Sequence, residues 1–330
     1  MNTRVSILLS LCLALFSGCG SKENQTPSAP DTAGQPKAGT KGVLALSVLS
    51  MTNPFFQEIA KHFTEEAQKN GYEALVVSGE FDVARQQNQV KDFIVRKVAA
   101  IALCPCDSKA IGPAITEANA AGIPVFTADI ACLAPGVKVV SHIASDNLGG
   151  GREAAKGMIE ALGEAGGKIV ILDYKPAESC IMRVNGFKEV ITSHNQGKTS
   201  GKIEIVAELP GDGQREKGYR AAEDAIQAHP DLAGIFAIND PSALGARAAL
   251  EKAGKAEQVK LIAFDGQPEG RQAIKDGKIY ADPVQFPDRI GAETVRTMMK
   301  HFAGEAIPSE TLIPTSLYRK ADADKDPTLK

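Results

Sequence analysis

Residues 43–56 read VLALSVLSMTNPFF. The apolar run VLALSVL (43–49) has the length of a strand buried on both faces. Asn53 then suits a helix cap and Pro54 the first helical position, so the stretch predicts a strand feeding directly into a helix. Phe55 and Phe56 complicate that reading. Neighbouring helical side chains point about 100° apart, and one core-facing stripe does not easily take both rings. Two adjacent aromatics at a strand-to-helix turn are therefore candidates for something other than core.

Working outward, the same alternation repeats. Strands are expected at 43–49, 73–77, 99–104, 123–128 and 138–144, with helices at 54–69, 83–97, 108–121 and 147–163. A second series has strands at 168–172, 203–208, 233–238, 259–264 and 278–284 and helices at 181–194, 215–228, 241–253, 267–276 and 288–303. Strands alternating with helices make parallel sheets with right-handed crossovers. Ten strands are too many for one such sheet, and the series restarts near Asp146. The fold expected is α/β, with two doubly wound lobes.

The N-terminus reads MNTRVSILLSLCLALFSGCGSK. One Arg followed by the apolar run Val5–Phe16 reads as a secretory signal (residues 1–18), too short to span a bilayer. Phe-Ser-Gly-Cys resembles a bacterial lipobox, which makes Cys19 the lipidated first residue of the mature chain. Residues 19–42 are then a lipidated N-terminus and polar tether, too poor in apolar side chains to form a core. The whole chain carries 37 basic and 40 acidic residues without a basic tract, which argues against a nucleic-acid partner. In an exported chain Cys104, Cys106, Cys132 and Cys180 can oxidise, and strand-end positions allow a bridge from Cys132 to Cys104 or Cys106. The Cys-Pro-Cys spacing is not that of a structural zinc site, and no metal is expected.

In doubly wound lobes ligands meet the loops at the carboxyl ends of the strands. Those loops hold most of the unusual chemistry: Asp129 follows IPVFTA, Asn239-Asp240 follows IFAI, and Asp265-Gly266 follows LIAF. Each can be explained as a helix cap. Several polar groups gathered beside exposed aromatics are less easily explained so.

The stretches TNPFF (52–56), VVSHIASDN (139–147), RVNGF (183–187), IFAINDPSALGA (235–246), IAFDGQPEG (262–270) and VQFPDRIGA (284–292) together resemble the periplasmic sugar-binding proteins of the ribose-binding type, solute-binding lipoproteins of ABC transporters. The resemblance covers roughly residues 42–318. It implies the type I periplasmic binding protein fold, two Rossmann-like lobes joined by a three-segment hinge with a sugar held between them. Lobe 1 would be 43–145 plus 286–313, lobe 2 would be 146–285 plus 314–320, and 321–330 a C-terminal tail. Matched residue by residue, it implies a ligand set of Asn53, Phe55, Phe56, Asp129, Arg183, Asn239, Phe264, Asp265 and Gln285. That chemistry suits a sugar, whose hydroxyl edge needs planar polar partners and whose C–H faces need flat apolar ones.

Three departures bear on the ligand. The family's ribose binders carry Arg after the first-lobe Asp, Ser on the first strand and Phe in the loop PGDGQ; here those places hold Ile130, Leu49 and Gly213. A pentose-like ring fits the polar set, but another pentose, a small hexose, a deoxysugar or a polyol fits as well. The resemblance implies a monomer without cofactors, partnered by an ABC permease and by the membrane through its lipid. A sensor that presents its closed form to a chemoreceptor or histidine kinase is the alternative. An enzyme built on Asp129, Asp265, His142 or the cysteines lacks support: there is no nucleophile elbow, and Gly149-Gly150-Gly151 is not a dinucleotide fingerprint.

Overall fold

The computed structural model describes residues 39–330; the expected signal segment, Cys19 and most of the 19–42 tether lie outside the described residues. Strands β1 (Val43–Val48), β2 (Glu73–Ser78), β3 (Ala100–Leu103), β4 (Val125–Ala128) and β5 (His142–Ser145) form one parallel sheet in the order β5-β4-β3-β1-β2. Strands β6 (Gly167–Asp173), β7 (Ile203–Pro210), β8 (Leu232–Ala237), β9 (Lys260–Ile262) and β10 (Ala281–Val284) repeat that order in a second sheet, β10-β9-β8-β6-β7. Each sheet gains a late edge strand: β11 (Glu310–Ile313) pairs parallel with β5, and β12 (Ser316–Arg319) pairs antiparallel with β10. Strand membership makes the chain pass between sheets three times: after β5, after β10 and between β11 and β12.

Helices cover the sheets. α1 (Pro54–Lys69), α2 (Val83–Val95), α3 (Gly112–Ala120) and α9 (Pro287–Phe302) belong to the first lobe. α4 (Asn147–Leu162), α5 (Glu178–Asn195), α6 (Arg215–Ala228), α7 (Asp240–Lys252), α8 (Pro268–Lys275) and the short α10 (Lys320–Ala323) belong to the second. The central strands are buried along their length, which is why they read as continuous apolar runs and not as alternating ones. The two doubly wound α/β lobes expected from the alternation are what the chain forms.

Differences fall at element ends. The helix expected from 108 begins at Gly112, because Asp107 takes the Lys109 and Ala110 amides, each at 2.8 Å, and holds a turn there. The strand expected from 138 begins at His142, and that expected from 278 begins at Ala281. Residues 321–330 are not a free tail: Ala323 is fully buried, Leu329 packs on the second-lobe core, and Asp326 pairs with Arg271 at 3.0 Å. Cys104, Cys106, Cys132 and Cys180 are all free thiols, so the Cys132 bridge to Cys104 or Cys106 is not formed. Among the described residues no helix is long and apolar enough to cross a membrane.

The glycines after SDNL have a packing role. A β-carbon on Gly151 in α4 would collide with the Arg183 carbonyl in α5, and one on Gly186 in α5 with the Leu148 carbonyl. Backbone-to-backbone contact of these two helices fixes where Arg183 stands. Gly151→Ala should therefore cost about 1–3 kcal/mol through overpacking, read as a lower denaturant midpoint at an unchanged m-value. A cost within 0.5 kcal/mol, roughly the range of an ordinary surface change, would show that the helices separate freely.

Candidate functional site

The carboxyl ends of both sheets face each other across a small cavity of about 30 Å³. Asn53 caps α1, its Oδ1 accepting the Phe55 amide at 3.0 Å. That oxygen is spent on the cap, and the amide group of Asn53 reaches across the cleft to the Asp265 carboxylate. Phe55 and Phe56 both line the cavity, edge to face at 5.3 Å between ring centroids and 87° between planes. The first turn of α1 projects both rings into the cleft, so neither has to share a single core stripe.

Asp129 follows β4 and Asp265 follows β9, and both have positive φ, 63° and 114°. Non-glycine residues hold such conformations at a cost of about 1–3 kcal/mol each, which persists where the surroundings enforce it and clusters at ligand sites. Here the Asp129 amide is held by the Ile143 carbonyl at 2.8 Å, while Asp265 bonds through its backbone to Pro283 and Gln285 of the β10 end. Asp129 is 3% exposed, and its Oδ1 has no hydrogen-bond partner. Burial pushes its carboxyl up to about 7, Arg183 opposes that rise, and Asp265 and Glu178 add to it. An unpartnered, buried acceptor aimed into a cavity is the strongest single mark of a ligand here.

Arg183 of α5 is 3% exposed, lines the cavity, and bonds to the protein through two of its three guanidinium nitrogens. Its Nε donates to Asn147 Oδ1 at 2.8 Å, and one terminal nitrogen donates to the Ile238 carbonyl at 2.7 Å and to Asp265 Oδ1 at 3.3 Å. Its guanidinium lies 4.0 Å over the Phe264 ring centroid. Asp265 Oδ1 also accepts from Gln285 Nε2 at 2.7 Å. Burial raises the Asp265 carboxyl above its ordinary range, while Arg183, Gln285 and Asn53 pull it back down. Asn239 caps α7 through Oδ1, which takes the Ser242 amide at 3.0 Å, and its amide donates to the Gly213 carbonyl at 3.0 Å.

Seven of the nine expected residues line the cavity: Asn53, Phe55, Phe56, Asp129, Arg183, Asn239 and Asp265. Phe264 and Gln285 do not. Phe264 is fully buried beneath Arg183, because the guanidinium occupies the ring face that a sugar would need. Gln285 stands behind Asp265 and holds its carboxylate. Leu49, Ile130 and Gly213, the three departures, line the wall, as does Cys180, whose thiol burial pushes up to about 12. Phe81 after β2, Tyr174 after β6 and Ser179 at the start of α5 also line it and are not among the residues expected from the sequence.

Phe81 and Tyr174 meet edge to face across the cleft at 5.9 Å, and the Tyr174 hydroxyl donates to the Cys106 carbonyl at 2.9 Å. Ser108 bonds the Pro176 carbonyl and the Glu178 amide, each at 2.9 Å. With the Asn53–Asp265 contact these bonds join the lobes in a closed arrangement. His142 takes no part: it is buried in β5 against Thr127, with its imidazole pushed down to about 4 by burial. Among the described residues no group of His, Cys, Asp and Glu is arranged to hold a metal ion.

Residues 44–306 match the model of the periplasmic binding protein domain, and the chain belongs to that family. It is 36% identical to the ribose import binding protein of Escherichia coli over 283 residues, 86% of this chain and 92% of that protein. It is 32% identical to a D-apiose import binding protein of Paraburkholderia graminis over 290 residues, covering 87% and 90% of the two chains. The crystal structure of an Agrobacterium vitis ABC transporter solute binding protein with bound D-fucose superposes with a TM-score of 0.77, at 31% identity, over 86% of this chain and 97% of that one. These relatives are solute-binding proteins of import systems. The chain is a binding protein and not an enzyme.

Proposed function

We propose that the chain captures a monosaccharide in the cleft between its lobes and delivers it to an ABC permease, acting as a monomer tethered to the membrane through lipid on Cys19. The observation that carries the ligand class is the Asp129 carboxylate, buried with Oδ1 unpartnered beside the Phe55–Phe56 rings. It asks for a hydroxyl donor on a ring that also offers an apolar C–H face. Ribose, apiose and fucose, named for the relatives, all have that form. Ribose itself is not assumed, because Leu49 and Ile130 line the wall where the family's ribose binders carry Ser and Arg. Those two residues suit a ligand with an apolar edge on that side. The import-binding relatives favour transport over sensing.

Calorimetry of D-ribose, D-apiose, D-allose, D-fucose and myo-inositol in buffers of different ionisation enthalpy tests this. A ligand at 100 times its Kd adds about 2.7 kcal/mol to stability. Hydroxyls that donate to Asp129 favour its ionised form, so the ligand lowers a carboxyl that burial holds at about 7. Binding should therefore release up to one proton near pH 6 and none at about pH 9, with affinity rising as pH rises through 7. If no sugar or polyol binds, the ligand class is wrong. If one binds without proton release, Asp129 is not its partner.

A further inference from the structure

Behind Asp265 lie two further aspartates that the sugar site does not use. Asp240, at the start of α7, is 2% exposed, and Asp282, in β10, is fully buried. Each spends Oδ2 on the loop that carries Asp265: Asp282 accepts the Gly266 amide at 3.1 Å, and Asp240 accepts the Gln267 amide at 2.7 Å. Each has an Oδ1 without a donor. Gly266 and Gln267 are consecutive, so their amides bring the two carboxyl groups together, and each acts on the other. Two buried carboxylates side by side, each with an oxygen that no donor reaches, repel unless one proton lies between them.

We propose that Asp240 and Asp282 share one proton and act together as positioning residues for Asp265, clamping Gly266 and Gln267 so that the Asp265 carboxylate stays aimed into the cleft. The positioning part rests on the reading that Asp265 contacts the ligand; the shared proton does not.

The surroundings favour retention of the proton. Burial raises both carboxyls above their ordinary range, and Asp265 beside them adds repulsion. Arg183 is the cation that acts on Asp282, and the same guanidinium also serves Asp129 and Asp265. From α8 the pair is faced by Gly270, where a β-carbon would collide with the Asp240 carboxylate. From β12 the residue opposite Asp282 is Tyr318, whose hydroxyl is committed to Asp326, as is the Arg271 side chain of α8. One cation facing several buried carboxylates leaves a charge excess that one trapped proton reduces.

The pair also explains how the strained turn is held. Asp265 has φ of 114° and Gly266 of 69°, and the two amides that follow Asp265 point at the two aspartates. Loss of the proton sets like charges against each other and loosens the turn. Sugar affinity should then fall at alkaline pH for a reason separate from Asp129, whose ionisation works in the opposite sense.

Asp282→Asn tests this, because its amide supplies an N–H where the proton sits. A proton bound in the folded state and released in the unfolded one makes stability fall as pH rises, from the ordinary carboxylate range up to the folded value. The unfolding constant then rises about tenfold per pH unit for one proton. Wild-type unfolding without sugar should show that slope between pH 5 and 7 relative to Asp282→Asn. Parallel profiles would overturn the shared proton. With whichever of D-ribose, D-apiose, D-allose or D-fucose binds, the affinity of Asp282→Asn relative to wild type should rise above pH 8. A flat ratio would overturn the positioning role even where the apo profiles diverge. Should the variant not fold, carbon-13 labelling of wild-type aspartate carboxyls decides. Assigned through the Gly266 and Gln267 amides, one of the pair should remain protonated at pH 6, and ordinary titration of both sinks the proposal. If no sugar binds at all, the functional reading falls while the apo profile still judges the proton.

Discussion

Replacing Arg183 with Met should cost the ligand-free protein about 3–5 kcal/mol, the price of breaking a buried ion pair from one side. Met keeps much of the stem volume but none of the donors. Its loss strands Asn147 Oδ1 and the Ile238 carbonyl, both buried, and takes from Asp265 its neighbouring cation. The Phe264 face, covered by the guanidinium at 4.0 Å, loses that contact too. Arg183→Lys should recover little, since an ammonium cannot lie flat on the ring while donating in two directions. The pH dependence follows from the sign of the charges. Without the guanidinium the Asp129, Asp265 and Asp282 carboxyls rise further, so the defect deepens as pH rises from about 5 and shrinks in acid. Denaturant melts of both variants at pH 5 and pH 8 check this. A loss under about 1 kcal/mol at pH 8 would make Arg183 a ligand clamp with little structural duty.

That double duty explains what sequence can and cannot disclose here. The alternation of apolar runs and amphipathic stretches was enough for two doubly wound lobes, because sheet burial imposes it at every strand. The strand-end loops followed directly, and with them Asp129, Asp265 and the Phe55–Phe56 turn. Side-chain direction did not follow. Phe264 and Gln285 occupy matching positions in the chain, yet one ring lies under Arg183 and one amide lies behind Asp265. Phe81 and Tyr174 meet only when the lobes close, so no local pattern in either loop announces them. The late start of α3 depends on Asp107 and on Ser108 bonding the opposite lobe, a tertiary fact. The order of residues reports which loops meet; packing decides which atoms the ligand finds.

Asp265→Asn should leave the ligand-free protein within about 1 kcal/mol of wild type while sugar affinity falls by a factor on the order of 100. The two effects separate because burial already disfavours this carboxylate, and raises its protonation range despite Arg183 at 3.3 Å. Removing the charge relieves that penalty and gives up the ion pair, two terms of opposite sign. The amide oxygen can still accept from Gln285 Nε2, now at 2.7 Å from Asp265 Oδ1, so the turn keeps its support. A ligand gains no such compensation. Hydroxyl bonds to a charged acceptor contribute about 1.5–3 kcal/mol each against about 1 for a neutral one. Two such bonds weakened amount to roughly 1–4 kcal/mol, or about 5-fold to 1000-fold in Kd. Isothermal titration against the best-binding sugar, beside a denaturant melt of the empty protein, gives both numbers. A melt shifted by several kcal/mol with Kd scaled in proportion would place Asp265 in the structural frame of the cleft. A stable empty protein that no longer holds sugar would place it against the ligand.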